Sequence, residues 1–333
     1  MAYSLSAITN QLNLTFAPLI ASQLNDRTTL INRVQKSIGG GKNIAWDAKL
    51  ARGTSAGSYA SGATITGDDQ DTELPAVLQW KRLKAEFRVH GDAVAAAAAA
   101  GPVAYSDLFG KALRDTVRNL TVELGRQSYG DGTGNSSNDL DGMAAIVADT
   151  GSYAGISRST YSAWRGNVLA NGGTGRNLTV DLMRSAERSV FAASGMAPDF
   201  IICTPAIYDK YEALFDSIRR IQSPTTPDYG AMGLSFRGIP IVRDVQCPAG
   251  KMFFLTRDSL EFRQLPPVPM ADGVALTEGF QPMTDAEGNI GLQVAIEMLG
   301  RTGDFYHGFV KLYGNLVGAH PNQNAVIADI NEA

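Results

Sequence analysis

The sequence predicts an α+β fold with an N-terminal arm, a long projecting hairpin, one long amphipathic helix and an α/β subdomain. Three observations carry it. Between Val77 and Asp92, Leu83, Ala85, Phe87 and Val89 alternate with Lys84, Glu86, Arg88 and His90, the period of a strand with one wet face. From Tyr105 the apolar residues Leu108, Phe109, Ala112, Leu113, Val117, Leu120 and Leu124 form one helical stripe. Beyond residue 176 the order is helix, strand, helix, strand, strand, which reads as an α/β unit.

Residues 1–43 form the arm, with Leu12, Leu14, Phe16, Leu19 and Ile20 as its apolar residues and Gly39-Gly40-Gly41 closing it. The hairpin spans 44–92. Its first arm is Ile44 to Arg52, its second Val77 to Asp92, and 23 residues from Gly53 to Pro75 lie between. A compact monomer rarely keeps so long a structureless connection without a use for it. A limb that grips a neighbouring molecule is such a use, and it points to an assembly protein.

Ala93–Ala100 reads as a short helix broken by Gly101-Pro102. The long helix then runs over about 104–129, roughly 39 Å at ~1.5 Å per residue. It stops at Tyr129-Gly130-Asp131-Gly132-Thr133-Gly134. Residues 135–175 are polar, with the block Gly155 to Arg165 as their one distinctive feature. Thr179 caps a second helix through Met183, Ala186 and Val190 to Gly195. Asp199 to Cys203 is a buried strand, and Thr204-Pro205 opens a third helix. Short apolar strands follow at 238–242 and 251–256, and a last pair at 291–299 and 305–317.

Composition limits the function. The chain has 333 residues, is 44% hydrophobic and 19% charged, and its formal net charge is −4. That balance argues against a dedicated reader of DNA or RNA, which usually carries a basic face, and leaves room for incidental contact through local basic patches. Two cysteines, Cys203 and Cys247, read as reduced thiols. Met1 to Thr15 lacks the basic start and apolar core of a secretory leader, and no apolar run approaches the ~18 residues of a membrane span.

No motif assembles a catalytic site. Gly53-Thr54-Ser55-Ala56-Gly57 matches a nucleophile elbow, but small residues follow it instead of a helical stripe. His90, His307 and His320 show no ligand spacing. Gly40-Gly41-Lys42 lacks the earlier phosphate-loop glycine, and Asp139-Leu140-Asp141-Gly142 lacks the calcium loop's closing glutamate, Ala148 standing there. Asp68, Asp69, Asp71 and Glu73 read as a solvated acidic loop tip. The expectation is therefore no enzyme, no cofactor and no metal.

The order of parts resembles the major capsid proteins of tailed bacteriophages with the Hong Kong 97-like fold. The blocks Leu124 to Gly134, Leu140 to Met143 and Gly155 to Arg165, and the pairing of Phe200 to Pro205 with Gly238 to Val242, look like that family too. The resemblance implies an E-loop at 44–92, a peripheral domain of 93–175 and 271–333 with a spine helix at about 104–129, and an axial domain at 176–270. It implies hexamers and pentamers forming an icosahedral virion shell around packaged double-stranded DNA, assembled in the host bacterial cytoplasm. Implied partners are other copies of the chain, a portal, a decoration protein and non-specific contact with DNA, with no membrane. Only about 40 residues precede the hairpin, so a separate scaffold protein is expected. The acidic tip (Asp68, Asp69, Asp71, Glu73) and its basic flanks (Arg52, Lys81, Arg82, Lys84, Arg88) offer complementary charge for subunit contact. Residues 53–75 hold no lysine, which speaks against the loop cross-link of some members. An encapsulin-like cargo shell is the first alternative, and a hydrolase using Ser55 the second.

Overall fold

The computed structural model is described over residues 28–51, 58–63, 73–100, 102–219, 234–266, 290–301 and 303–332. A short turn of helix, Thr29–Arg33, leads into β1 (Gln35–Ile38) and β2 (Ile44–Lys49). β2 pairs antiparallel with β3 (Glu73–Leu78), from Ile44 opposite Leu78 to Lys49 opposite Glu73. Next, β4 (Lys81–His90) runs into the helix Gly91–Ala100, and the 27-residue helix Pro102–Ser128 follows.

The second hairpin arm is thus two strands rather than the single strand expected from Val77 to Asp92. In β3 the buried positions are Ala76 and Leu78; in β4 they are Leu83, Phe87 and Val89. The alternation changes phase across Gln79-Trp80. A single strand cannot do that without turning its apolar set to the other face. The ladder with the first arm therefore uses Glu73–Leu78, and β4 joins another sheet. Asp92 belongs to the helix that follows, in its first turn, where the helix dipole favours a carboxylate.

Smaller elements come next: β5 (Ser152–Tyr153) and β6 (Ile156–Ser157), then β7 (Asn167–Leu169). The helix Val180–Ser194 separates them from β8 (Phe200–Cys203), and Pro205–Arg219 precedes β9 (Ser235–Phe236) and β10 (Ile239–Arg243). The last strands are β11 (Met252–Leu255), β12 (Leu260–Gln264), β13 (Val294–Arg301), β14 (Phe305–Gly318) and β15 (Ala325–Ile327).

β14 is the axis of a five-stranded sheet. β4 lies antiparallel along one side of it; β13 and β12 share the other, and β1 adds to β12 in parallel. On the inner face Leu83, Phe87, Val310 and Leu312 meet Phe109, Leu113, Val117, Leu120 and Leu124 of the long helix in one core. The helix stripe and the strand alternation read from the sequence are the two halves of that core.

The second sheet has the order β7-β15-β11-β8-β10-β9. All four residues of β8 are buried, as befits a strand flanked on both edges. Thr179 caps the helix Val180–Ser194 by accepting a 3.2 Å bond from Leu182 N, and Gly195 ends it at φ 75°. Thr204 accepts from Ile207 N at 3.3 Å at the start of Pro205–Arg219. Strand membership departs from the expected 176–270 division: β12 sits in the first sheet, while β7 and β15 complete the second. β15 is too short to carry a readable period.

Buried hydrogen bonds join the two halves, among them one from Tyr129. Tyr129, just past the long helix, donates to Asp244 Oδ2 at 2.7 Å, and its ring packs on Phe253. Burial, then the Asp244 carboxylate, push the Tyr129 hydroxyl well above its ordinary pKa.

Candidate subunit interface

β2 and β3 form a ribbon paired with no other strand among the described residues. Six residue pairs at ~3.3 Å per residue make it roughly 20 Å long. Ile44, Ala48, Ala76 and Leu78 are buried on one face; Ala45, Asp47, Lys49, Glu73, Pro75 and Val77 are exposed on the other. A two-stranded ribbon alone is marginal in water. Contacts at its root compensate: Val77 N donates to Ala154 O at 3.0 Å, and the Arg263 guanidinium lies over the Trp46 ring. The buried Trp46 indole N–H finds no acceptor among the described residues.

The root is built on Asn315, a fully buried amide. Its Nδ2 donates to Gln79 O at 3.0 Å and to Asp141 Oδ2 at 2.7 Å, while its Oδ1 accepts from Asp141 N at 3.0 Å. Gln79, where the ribbon turns into β4, is thereby fastened to β14 and to the segment after the long helix. Beside it the chain makes a left-handed turn, with Asn135, Ser136 and Ser137 at φ 48°, 56° and 65°. L-residues pay about 1–2 kcal/mol each for that conformation, so the surroundings must hold it. Ser137 N donates to Thr133 O at 3.1 Å, and Lys81 Nζ donates to Ser137 O at 2.8 Å.

These parts border a groove of about 830 Å³. Lys42, Lys81, Arg82, Lys84 and Lys311 line it, with Trp80 and Tyr313, and among the described residues no carboxylate does. Acidic residues stand just outside. Lys84 pairs with Glu86 at 2.6 Å, and Lys311 with Glu297 at 2.5 Å. Lys84 and Lys311 face each other across the β4–β14 ladder; these two carboxylates offset a repulsion that would otherwise weaken the sheet. The Glu86 carboxyl is held below its usual pKa, first by Lys84 and then by His307.

Of the residues the sequence singled out, Arg52, Asp68, Asp69 and Asp71 lie outside the described residues. Glu73 is exposed at the far end of the ribbon, opposite Lys49. Arg82, Lys84 and Arg88 share the wet face of β4, with Arg88 over the Phe305 ring. Lys81 points the other way. Its side chain is 11% exposed and sits 3.8 Å from Asp141, tying the root inside the subunit. Lys42, Trp80, Lys311 and Asn315 were not singled out as contact residues; only the fold, through pairings far apart in sequence, brings the first three to the groove and Asn315 to the root beside it.

Ser55 lies outside the described residues. Among the described ones, no cluster of three or more His, Cys, Asp or Glu side chains could hold a metal ion, and no helix is long and apolar enough to cross a membrane. Cys203 and Cys247 are free and buried, and burial pushes the Cys203 thiol up to about 12.

No protein-family model and no curated protein matches the sequence. Solved structures match nearly its whole length. The cyanophage A-1(L) capsid asymmetric unit is 24% identical with a TM-score of 0.72, covering 91% of this chain and 93% of that one. A chain from Microbacterium phage Oxtober96 is 12% identical, with a TM-score of 0.58 and 91% of each chain covered. The holo-SrpI encapsulin complex from Synechococcus elongatus PCC 7942 is 14% identical, with a TM-score of 0.56, covering 91% of this chain and 88% of that one. The Hong Kong 97-like capsid fold expected from the sequence is the fold of this chain.

Proposed function

We propose that this chain is a major capsid protein. It assembles through hexamers and pentamers into an icosahedral virion shell that encloses packaged double-stranded DNA. The observation that carries the reading is the match to a cyanophage capsid subunit at TM-score 0.72 over 91% of the chain. A likeness over 91% of this chain and 93% of that one is a likeness of nearly the whole assembly unit. In this reading 44–92 is the E-loop, 93–175 with 271–333 the peripheral domain, and 176–270 the axial domain, except that β4 and β12 pack in the sheet of the peripheral part and β7 and β15 in that of the axial part. The role is structural rather than enzymatic, and a separate scaffold protein, a portal and a decoration protein are the partners to seek.

The ribbon supports the reading independently. Glu73, at the far end of the ribbon, is separated from the basic groove at its root by the ribbon's length, so the two meet most simply between copies. Such a head-to-tail contact closes a ring when the rotation between copies is a whole fraction of a turn, as it is in a hexamer or pentamer. Arg52, Arg82, Lys84 and Arg88 on one copy and Asp68, Asp69, Asp71 and Glu73 on the next are the proposed contact residues.

The encapsulin match keeps a second reading in view, a shell of the same fold around protein cargo. Particle contents separate the two. Particles purified from infected or expressing cells are treated with nuclease, opened and analysed. Nuclease-protected duplex DNA is the expected result; a single co-purifying enzyme without DNA would favour the cargo shell.

A further inference from the structure

The solvent side of the helix Pro102–Ser128 carries charge that the subunit does not use. At about 100° per residue, Lys111, Arg114 and Arg118 fall within a ~60° stripe, and all three are exposed. None makes an ion pair or hydrogen bond among the described residues. Asp115, exposed on the flank of the stripe, pairs with none of them. Val122, 51% exposed, continues the line.

The opposite surface is different. There the wet face of the five-stranded sheet bears Lys84, Lys311 and Arg263, which hold Glu86, Glu297 and Glu261 at 2.6, 2.5 and 2.8 Å. Arg82 and Arg88 have no carboxylate partner there, Arg88 lying over the Phe305 ring. The two cation sets thus lie on the two broad surfaces of one helix-on-sheet unit, with three of these five cations paired to carboxylates on the sheet side and none of the three on the helix side. Arg114 repels Lys111 and Arg118, three and four residues away, a repulsion that Asp115 offsets in part and an external polyanion removes.

We infer that the stripe Lys111, Arg114 and Arg118 is the luminal contact for packaged duplex DNA. The inference rests on the capsid reading. Duplex DNA is the occupant that fits. The cations step ~4.5 and ~6 Å along a straight rod, and DNA presents phosphates regularly, one per ~3.4 Å of axis on each strand. Contact of this kind positions DNA without reading its sequence, as a chain of net charge −4 with only a local basic stripe would do.

The test uses the purified, unassembled full chain and a short duplex of arbitrary sequence, with affinity measured over a range of salt. The triple variant Lys111→Gln, Arg114→Gln, Arg118→Gln is compared with wild type and with Lys84→Gln, Lys311→Gln on the sheet face. The expected result is a log–log salt slope shallower by about 2.7 in the triple variant, three phosphates at ~0.9 each. The sheet-face variant keeps the wild-type slope, and electron microscopy shows particles of the triple variant at wild-type yield. An unchanged slope overturns the inference, as does equal loss in the sheet-face variant. A triple variant that binds DNA normally but no longer forms particles would make the stripe a protein contact, which also overturns it. If wild type forms no particles, the luminal assignment falls with the capsid reading, whatever the slope.

Discussion

Arg158 is 2% exposed and hydrogen-bonds no carboxylate among the described residues. Its guanidinium instead donates to four carbonyls: Ala145, Ile146, Thr150 and Trp164, at 2.5, 3.0, 3.1 and 3.2 Å. It also lies over the Tyr153 ring at 5.5 Å. Burial holds its pKa below the usual arginine value. The planar fork closes a loop of some twenty residues that has little regular structure, and a lysine cannot reproduce it. Arg158→Lys is expected to lower the stability of the full chain by about 3 kcal/mol, since several buried acceptors lose their donor. Chemical denaturation followed by fluorescence measures it; a loss below ~1 kcal/mol would contradict this account. The sequence marked the block Gly155 to Arg165 as distinctive but not Arg158 as its centre. Arginine is ordinarily a surface residue, and the carbonyls it serves are irregular backbone with no pattern to read.

At the scale of elements, periodicity was legible wherever an element was long and had one wet face. β4, the helix Pro102–Ser128 and the helix Val180–Ser194 with both caps all stand where the pattern predicts. What stayed hidden is the phase change at Gln79-Trp80, the exchange of β12 and β15 between sheets, and the left-handed turn at Asn135–Ser137. Each depends on partners far away in sequence. The glycines divide in the same way. Gly142 packs against the end of the long helix so closely that a β-carbon would lie 2.5 Å from both Gln127 O and Ser128 O. Gly40 has nothing within 4 Å of that position. Gly142→Ala is therefore expected to cost about 1–3 kcal/mol. Gly40→Ala is expected to be neutral or stabilising by up to about 1 kcal/mol, through the unfolded chain. Thermal melting of the two variants side by side checks the pair, and equal shifts would show that the crowding at Gly142 is not real.

For the whole molecule, the feature that matters is the ribbon β2–β3, a limb larger than the subunit itself needs. Its root is over-determined by Asn315, Asp141 and Lys81, whereas its wet face and far end have no covering strand among the described residues. The sequence foretold the limb from loop length alone. It could not foretell the basic groove, because Lys42, Arg82 and Lys311 converge only in three dimensions. Shortening residues 51–72 to Asn-Gly leaves a loop length compatible with the ribbon. The trimmed chain is expected to melt like wild type, within about 1 kcal/mol of stability, yet to form no closed particles. Normal particles from it would remove the ribbon tip from the assembly contact.

Electron microscopy of the purified wild-type chain tests the central claim most directly. Closed icosahedral particles, or free capsomers with five- or six-fold symmetry, are the expected result. A stable monomer across protein concentration, salt and crowding conditions would contradict it.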